Sequence, residues 1–422
     1  MRKTEYYLLL FLIGTQLKGQ TLDNENKNSF FISPEVILGK TTEPNTGFPK
    51  TKMLKSIFVS IGSYNKKVDA QWSSRLGYPK TGLALGITDF GNIEKVGRAY
   101  IAMPFVEIGL FQKKTNRWHL NMGFGASYID TKYDPEINPF NKAVTTSLNW
   151  SYKTFLYYDV LIGKSTQWRL GLGYGHYSNG HTRLPNQGLN SFLVSASSSF
   201  GEPQTILEED VTVLRKERVK SSQNYFSFRS GIGQNVLSEE FNDKKEVYSV
   251  ALSMGKVVNK IFKIGIGFYG RFYEHYYDYI KNDEMLIQEQ VPFFKEKPVA
   301  YASNYGFFSS TEVFIGHIGV EFELGVNIYK PFYKIEWQLS QGERRGDQYI
   351  LGELDWYYEI KRTISSRLGV KYYLFNTHDS PKNNIFFGAN INANLGQADF
   401  SELSLGYVYR FNFKERKKEY SN

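Results

Sequence analysis

The chain has 422 residues, a formal net charge of +9, no cysteine, and an aromatic content of 16% that rests mainly on 31 Tyr and 32 Phe. No window approaches the ~20 consecutive apolar residues that a membrane helix requires, so a helical membrane protein is excluded. The missing cysteines exclude a disulfide-stapled fold and a lipid anchor on cysteine, and the positive charge favours an anionic partner.

Arg2 and Lys3, the apolar run Tyr6 to Ile13 and a polar stretch ending in Gln20 have the form of a secretory signal peptide over residues 1–20. Strand-like runs follow near 31–41, 54–63, 82–89, 98–112, 117–129, 152–164, 166–178 and 190–201, eight in the region 21–202, which suffices for a small closed barrel. The segment 203–221 holds Glu208-Glu209-Asp210 and Arg215-Lys216-Glu217-Arg218, a composition that resists both a membrane strand and a packed core, and reads as a charged linker. Runs resume within 222–413, near 222–233, 245–259, 261–275, 311–329, 331–340, 348–360, 364–376, 384–395 and 402–413, with 276–308 as a long charged loop and 414–422 as a basic tail.

The periodicity decides the class. Leu120, Met122, Phe124, Ala126 and Tyr128 alternate with Asn121, Gly123, Gly125 and Ser127; Phe322, Leu324, Val326 and Ile328 alternate with Glu321, Glu323, Gly325 and Asn327. One face is apolar and the other polar or glycine, segment after segment, at the ~10-residue length of tilted membrane strands. The last run, Leu403 to Phe413, ends in an aromatic stripe. The predicted fold is all-β: an antiparallel transmembrane β-barrel of the outer-membrane type, closing either as one barrel of fourteen to eighteen strands or as two smaller ones.

The halves resemble each other. Leu156-Tyr157-Tyr158-Asp159, Gln167-Trp168-Arg169-Leu170-Gly171 and His176-Tyr177-Ser178 have counterparts in Asp355 to Glu359, Ser366-Arg367-Leu368-Gly369 and His378-Asp379-Ser380, which predicts an internal duplication. Parity with Leu368, Val370 and Tyr372 predicts that His378 and Ser380 also face lipid. Pro381 stands where the first copy has Asn179, so the second half is read as a non-catalytic repeat.

Chemistry concentrates in Gly175-His176-Tyr177-Ser178-Asn179-Gly180. Residues two apart on a strand share a face, so His176 and Ser178 form a candidate base–nucleophile pair. Trp168, Leu170, Leu172 and Tyr174 have the same parity. The pair therefore lies on the greasy side, which on a membrane barrel is the outer wall, facing acyl chains. His119, His181, His275 and His317 have no comparable company, and no His/Asp/Glu cluster has metal-ligand spacing.

His176-Tyr177-Ser178-Asn179 with Pro185-Asn186-Gln187-Gly188 resembles the outer-membrane lipid A 3-O-deacylases of the PagL type, across residues from about Ser33 to Phe200. The resemblance implies an eight-stranded barrel that hydrolyses an ester-linked acyl chain. Its third catalytic residue, a glutamate twelve residues after the serine, is replaced here by Asn190. The outer-membrane phospholipases A, which carry His-x-Ser-Asn-Gly, place an asparagine at that same offset. What is implied is Ser178 as nucleophile, His176 as base and Asn190 orienting the imidazole from the neighbouring strand, with Asn179, Asn186 and Gly188 as oxyanion-hole candidates. The calcium-binding residues of the phospholipases are not recognisable in 181–189, so no metal and no cofactor is expected. The expected function is a serine esterase acting on lipid A, with a phospholipase A and a non-catalytic barrel as alternatives. The expected partner is a membrane lipid, not nucleic acid.

Overall fold

A computed structural model describes residues 30–64, 71–76, 79–110, 117–163, 166–201, 220–345 and 348–416. The expected signal peptide and nearly all of the charged linker lie outside the described residues.

Period-two alternation drives two barrels, each closed on itself. The first comprises β1 (Phe30–Thr41), β2 (Leu54–Tyr64), β3 (Lys80–Asp89), β4 (Arg98–Leu110), β5 (Trp118–Ile129), β6 (Leu148–Ile162), β7 (Thr166–Ser178) and β8 (Leu189–Phe200), each antiparallel to the next, with β8 returning to β1. The second comprises β9 (Lys220–Asn235), β10 (Lys245–Val258), β11 (Phe262–Tyr273), β12 (Ser303–Ile315), β13 (Ile318–Tyr329), β16 (Ile364–Tyr373), β17 (Asn383–Asn394) and β18 (Gln397–Arg416), closed by pairing of β18 with β9. A separate hairpin, β14 (Glu343–Arg345) with β15 (Gln348–Ile350), lies in the loop after β13. The all-β, outer-membrane-type fold with internal duplication therefore holds, as two barrels of eight strands. Closure leaves no open sheet edge, the condition for strands to sit in hydrocarbon.

The faces divide as membrane barrels demand. Leu170, Leu172, Ile266 and Leu403 point outward and are more than half exposed. Inside, charges are buried in pairs: Lys153 with Glu35 at 3.0 Å, Arg169 with Glu107 at 2.7 Å, and Lys263 with Glu312 at 2.8 Å. A buried ion is tolerable only with its partner in place. Gly173 makes room for this filling, since a Cβ there would lie 2.6 Å from the ring of Phe155.

Three strand expectations in the second half are corrected. The run 311–329 is two strands turned at Gly316 and His317, Gly316 taking φ +65°. Residues 331–340 are largely helix, Tyr333–Ser340, which buries Tyr333, Ile335, Trp337 and Leu339 but also Glu336 and Gln338; burial all round overrides the alternation. Residues 348–360 end in the helix Trp356–Thr363, whose N-cap Asp355 accepts a hydrogen bond from the Tyr358 N–H at 2.9 Å. The expected loop 276–308 likewise holds helices at Glu274–Lys281 and Met285–Gln290.

The residue-by-residue repeat is also corrected. The segment matched to β6, Asp355 to Glu359, is the start of the helix Trp356–Thr363. β16 is the sixth strand of its barrel whereas β7 is the seventh, so the two run in opposite directions. The strand ends at Tyr373, and His378 sits in the short turn Thr377–Asp379, followed by Ser380 at φ +53°. This second pair does not continue a lipid-facing stripe. What is duplicated is the barrel, not the motif.

Candidate functional site on the outer wall of the first barrel

β7 and β8 are antiparallel neighbours, and their register sets His176 directly opposite Asn190. The outward parity of Leu170 and Leu172 carries on to Tyr174, His176 and Ser178; Phe192 and Val194 carry the same face to Asn190. Toward the end of β7 this face turns from apolar to polar and from exposed to covered, with Ser178 only 7% exposed. His176 and Ser178 lie two residues apart on one face of β7, roughly 6.6 Å of strand rise, and no hydrogen bond joins their side chains among the described residues.

His176 Nδ1 and Asn190 Oδ1 are 2.7 Å apart. A carbonyl oxygen only accepts, so this contact places the ring proton on Nδ1 and leaves Nε2 able to accept a proton. Tyr174, two residues back on the same face, donates its hydroxyl to the same Oδ1 at 2.5 Å. Two donors converging on one oxygen hold the amide with its carbonyl toward the imidazole. The Asn190 backbone is fixed as well: its carbonyl accepts from Thr42 N at 2.8 Å and Thr42 Oγ1 at 3.1 Å. Tyr174 was missed by sequence reasoning, although its position two residues before His176 is the signal that finds it.

The loop 179–188 brings the remaining candidates together, with roles that differ among them. Asn179 shapes the loop: its N–H donates to Asn186 Oδ1 at 3.0 Å, its Nδ2 to Arg183 O at 2.7 Å, and its Oδ1 accepts from Thr182 N at 3.2 Å. The Gly188 N–H donates to Ala143 O at 2.8 Å. Both backbone donors are thus engaged within the protein. The Asn186 Nδ2 has no hydrogen-bond partner among the described residues, so of the three candidates it is the one whose donor is left free. Gly188 contributes space instead: at φ +75°, a Cβ there would meet His176 Cε1 at 2.8 Å.

A row across the sheet leads away from the serine. Register pairs Ser178 with Trp150, Trp150 with Ala126, Ala126 with Ala102, Ala102 with Leu85, and Leu85 with Val59. The two alanines hollow the outer wall, and a concavity of about 940 Å³ lies over them, lined also by Val59 and Leu85. The other histidine singled out in the first barrel's strands, His119, faces the lumen and contacts Asp159 at 2.8 Å.

Residues 60–199 match the model of the family described as lipid A 3-O-deacylase (PagL), a span that contains His176, Ser178 and Asn190. The expected resemblance to that family is thereby shown, for the first barrel. No curated protein matches the chain. Among solved structures, the outer membrane enzyme PagL is 15% identical over 39% of this chain and 97% of its own, with a TM-score of 0.29. A mutant porin of Rh. blastica is 10% identical over 91% of this chain and 100% of its own, with a TM-score of 0.16.

Proposed function

We propose that the first barrel is an outer-membrane serine esterase that removes an ester-linked acyl chain from lipid A. The observation that carries the reading is the His176–Asn190 contact at 2.7 Å, on the outward face of the barrel and two residues along the strand from Ser178. In this reading Ser178 Oγ attacks the ester carbonyl and His176 Nε2 takes its proton. His176 then returns the proton to the leaving sugar alcohol, and a water repeats the cycle on the acyl-enzyme. Asn190 fixes the tautomer and orientation without supplying charge, and Asn186 Nδ2 donates to the oxyanion. The concavity over Ala102 and Ala126 receives the acyl chain, which remains level with the serine along one row of the sheet. The active half is 21–202, and the second half, 222–413, does no chemistry of its own.

A phospholipase A is the second reading, favoured by an asparagine where the deacylases have glutamate. Mass spectrometry of lipid A and of phospholipids, from cells making the parent chain or Ser178→Ala, tests both. Loss of one acyl chain from lipid A with the parent alone supports deacylation. Lysophospholipid with the parent alone supports the second reading, and identical profiles refute both.

A further inference from the structure

The second barrel touches the first at the loop that follows the serine. Asn242, in the loop between β9 and β10, clamps one peptide unit on each side of Leu184: its Oδ1 accepts from Leu184 N at 2.9 Å and its Nδ2 donates to Leu184 O at 2.6 Å. Ser401, on the outward face of β18, donates to Gly180 O at 3.2 Å and accepts from Trp150 Nε1 at 3.0 Å. The fit is close, since a Cβ on Gly180 would lie 2.2 Å from Ser401 Oγ. At the rim, Lys142 and Glu239 are 3.6 Å apart.

The loop's own barrel holds only its second half. Thr145 Oγ1 donates to Pro185 O, and the N–H groups of Gln187 and Gly188 donate to Lys142 O at 3.1 Å and Ala143 O at 2.8 Å. Residues 180–184 contain two left-handed positions, Gly180 at φ +65° and His181 at φ +70°, and their anchors in the second barrel include Asn242 and Ser401, with His181 also hydrogen-bonded to the Val236 backbone. The Asn179–Asn186 hydrogen bond joins the two halves, so a shift of the first displaces the amide left for the oxyanion.

We propose that Asn242 and Ser401 of the second barrel are positioning residues for the first barrel's active site, and that the catalytically silent barrel is kept as a clamp on the oxyanion loop. This rests on the esterase reading, and a misplaced group of about 1 Å is enough to cost turnover heavily. The test uses the full chain in vesicles of lipid A and phospholipid, with Asn242→Ala and, as an independent variant, Ser401→Ala. The expected result is a loss of about tenfold in kcat at unchanged KM, with normal heat-modifiable migration of the folded barrels and faster hydrogen exchange confined to amides of 180–184. Faster exchange with parent-like kcat overturns the positioning role. Parent-like exchange in both variants overturns the clamp. If the parent hydrolyses neither lipid, the esterase reading fails and the positioning role falls with it, while the exchange measurement still decides whether the clamp exists.

Discussion

His176 and Asn190 face each other across β7 and β8, with Nδ1 and Oδ1 at 2.7 Å, and neither side chain carries a formal negative charge. In the proposed mechanism the imidazolium formed when Ser178 attacks is therefore oriented but not paired with a carboxylate. Orientation and reaction then separate in mutants. Ser178→Ala should abolish ester hydrolysis, whereas Asn190→Ala should lower kcat by about 10², both with folded barrels. Equal losses, measured as initial rates in mixed vesicles, would give Asn190 a role beyond orienting the ring.

Tyr174 donates its hydroxyl to Asn190 Oδ1. Tyr174→Phe removes one hydrogen bond to Oδ1 and leaves the His176 contact, a change worth about 1 kcal/mol. The expected outcome is a kcat reduced about fivefold with KM unchanged. A raised KM at parental kcat would mean that the phenol contacts lipid instead.

Gly188 is a steric requirement of the imidazole. Gly188→Ala places a methyl 2.8 Å from His176 Cε1 on a backbone at φ +75°, so the ring must move. The predicted loss in kcat is at least about 10², with the two-barrel fold retained. Retained turnover would show that the ring is not held against Gly188 during catalysis.

Much of this was legible in the sequence because a barrel strand writes its two environments in alternate residues. The eight strands of the first barrel, the outward parity of His176 and Ser178, and the reach of Asn190 all follow from period two. The failures share a cause. The helix Tyr333–Ser340 is covered on every side, so the alternation of Tyr333, Ile335, Trp337 and Leu339 no longer reports strand geometry. His378 and Ser380 lie beyond the last residue of β16, where parity has no meaning. The commitment of the Asn179 and Gly188 N–H groups to other acceptors depends on loop conformation, and the clamp by Asn242 on contact between distant segments; neither is written in local periodicity.

The helix Tyr333–Ser340 of the second barrel should respond to pH. Glu336 is buried among Lys330, Asp399 and Tyr276; burial and Asp399 push its carboxyl up to about 7, against the opposing pull of Lys330 and of the hydrogen bond from Tyr276. A raised carboxyl means that the folded state holds a proton the unfolded state has lost. Its contribution is complete below the unfolded value and declines as pH rises toward and through about 7. Hydrogen exchange of Tyr333–Ser340, corrected for intrinsic rate, should show less protection at pH 8 than at pH 6. Glu336→Gln should abolish the difference, and a difference that persists in that variant would assign it to another group.

Ser380 tests whether the second barrel does chemistry. It follows the turn Thr377–Asp379 between β16 and β17, at the barrel end opposite Asn242 and Ser401, and its backbone is left-handed where Ser178 is the last residue of a strand. The segment after it contains neither Asn-Gly nor Pro-Asn-x-Gly. Losing one oxyanion donor costs about 3 kcal/mol of transition-state stabilisation, so a position lacking the whole loop should contribute nothing measurable. Ser380→Ala is therefore expected to stay within about twofold of the parent, under ~0.5 kcal/mol, in the same vesicle assay in which Ser178→Ala is expected to be inactive. A large loss at normal expression and folding would place a second nucleophile at the opposite end of the molecule.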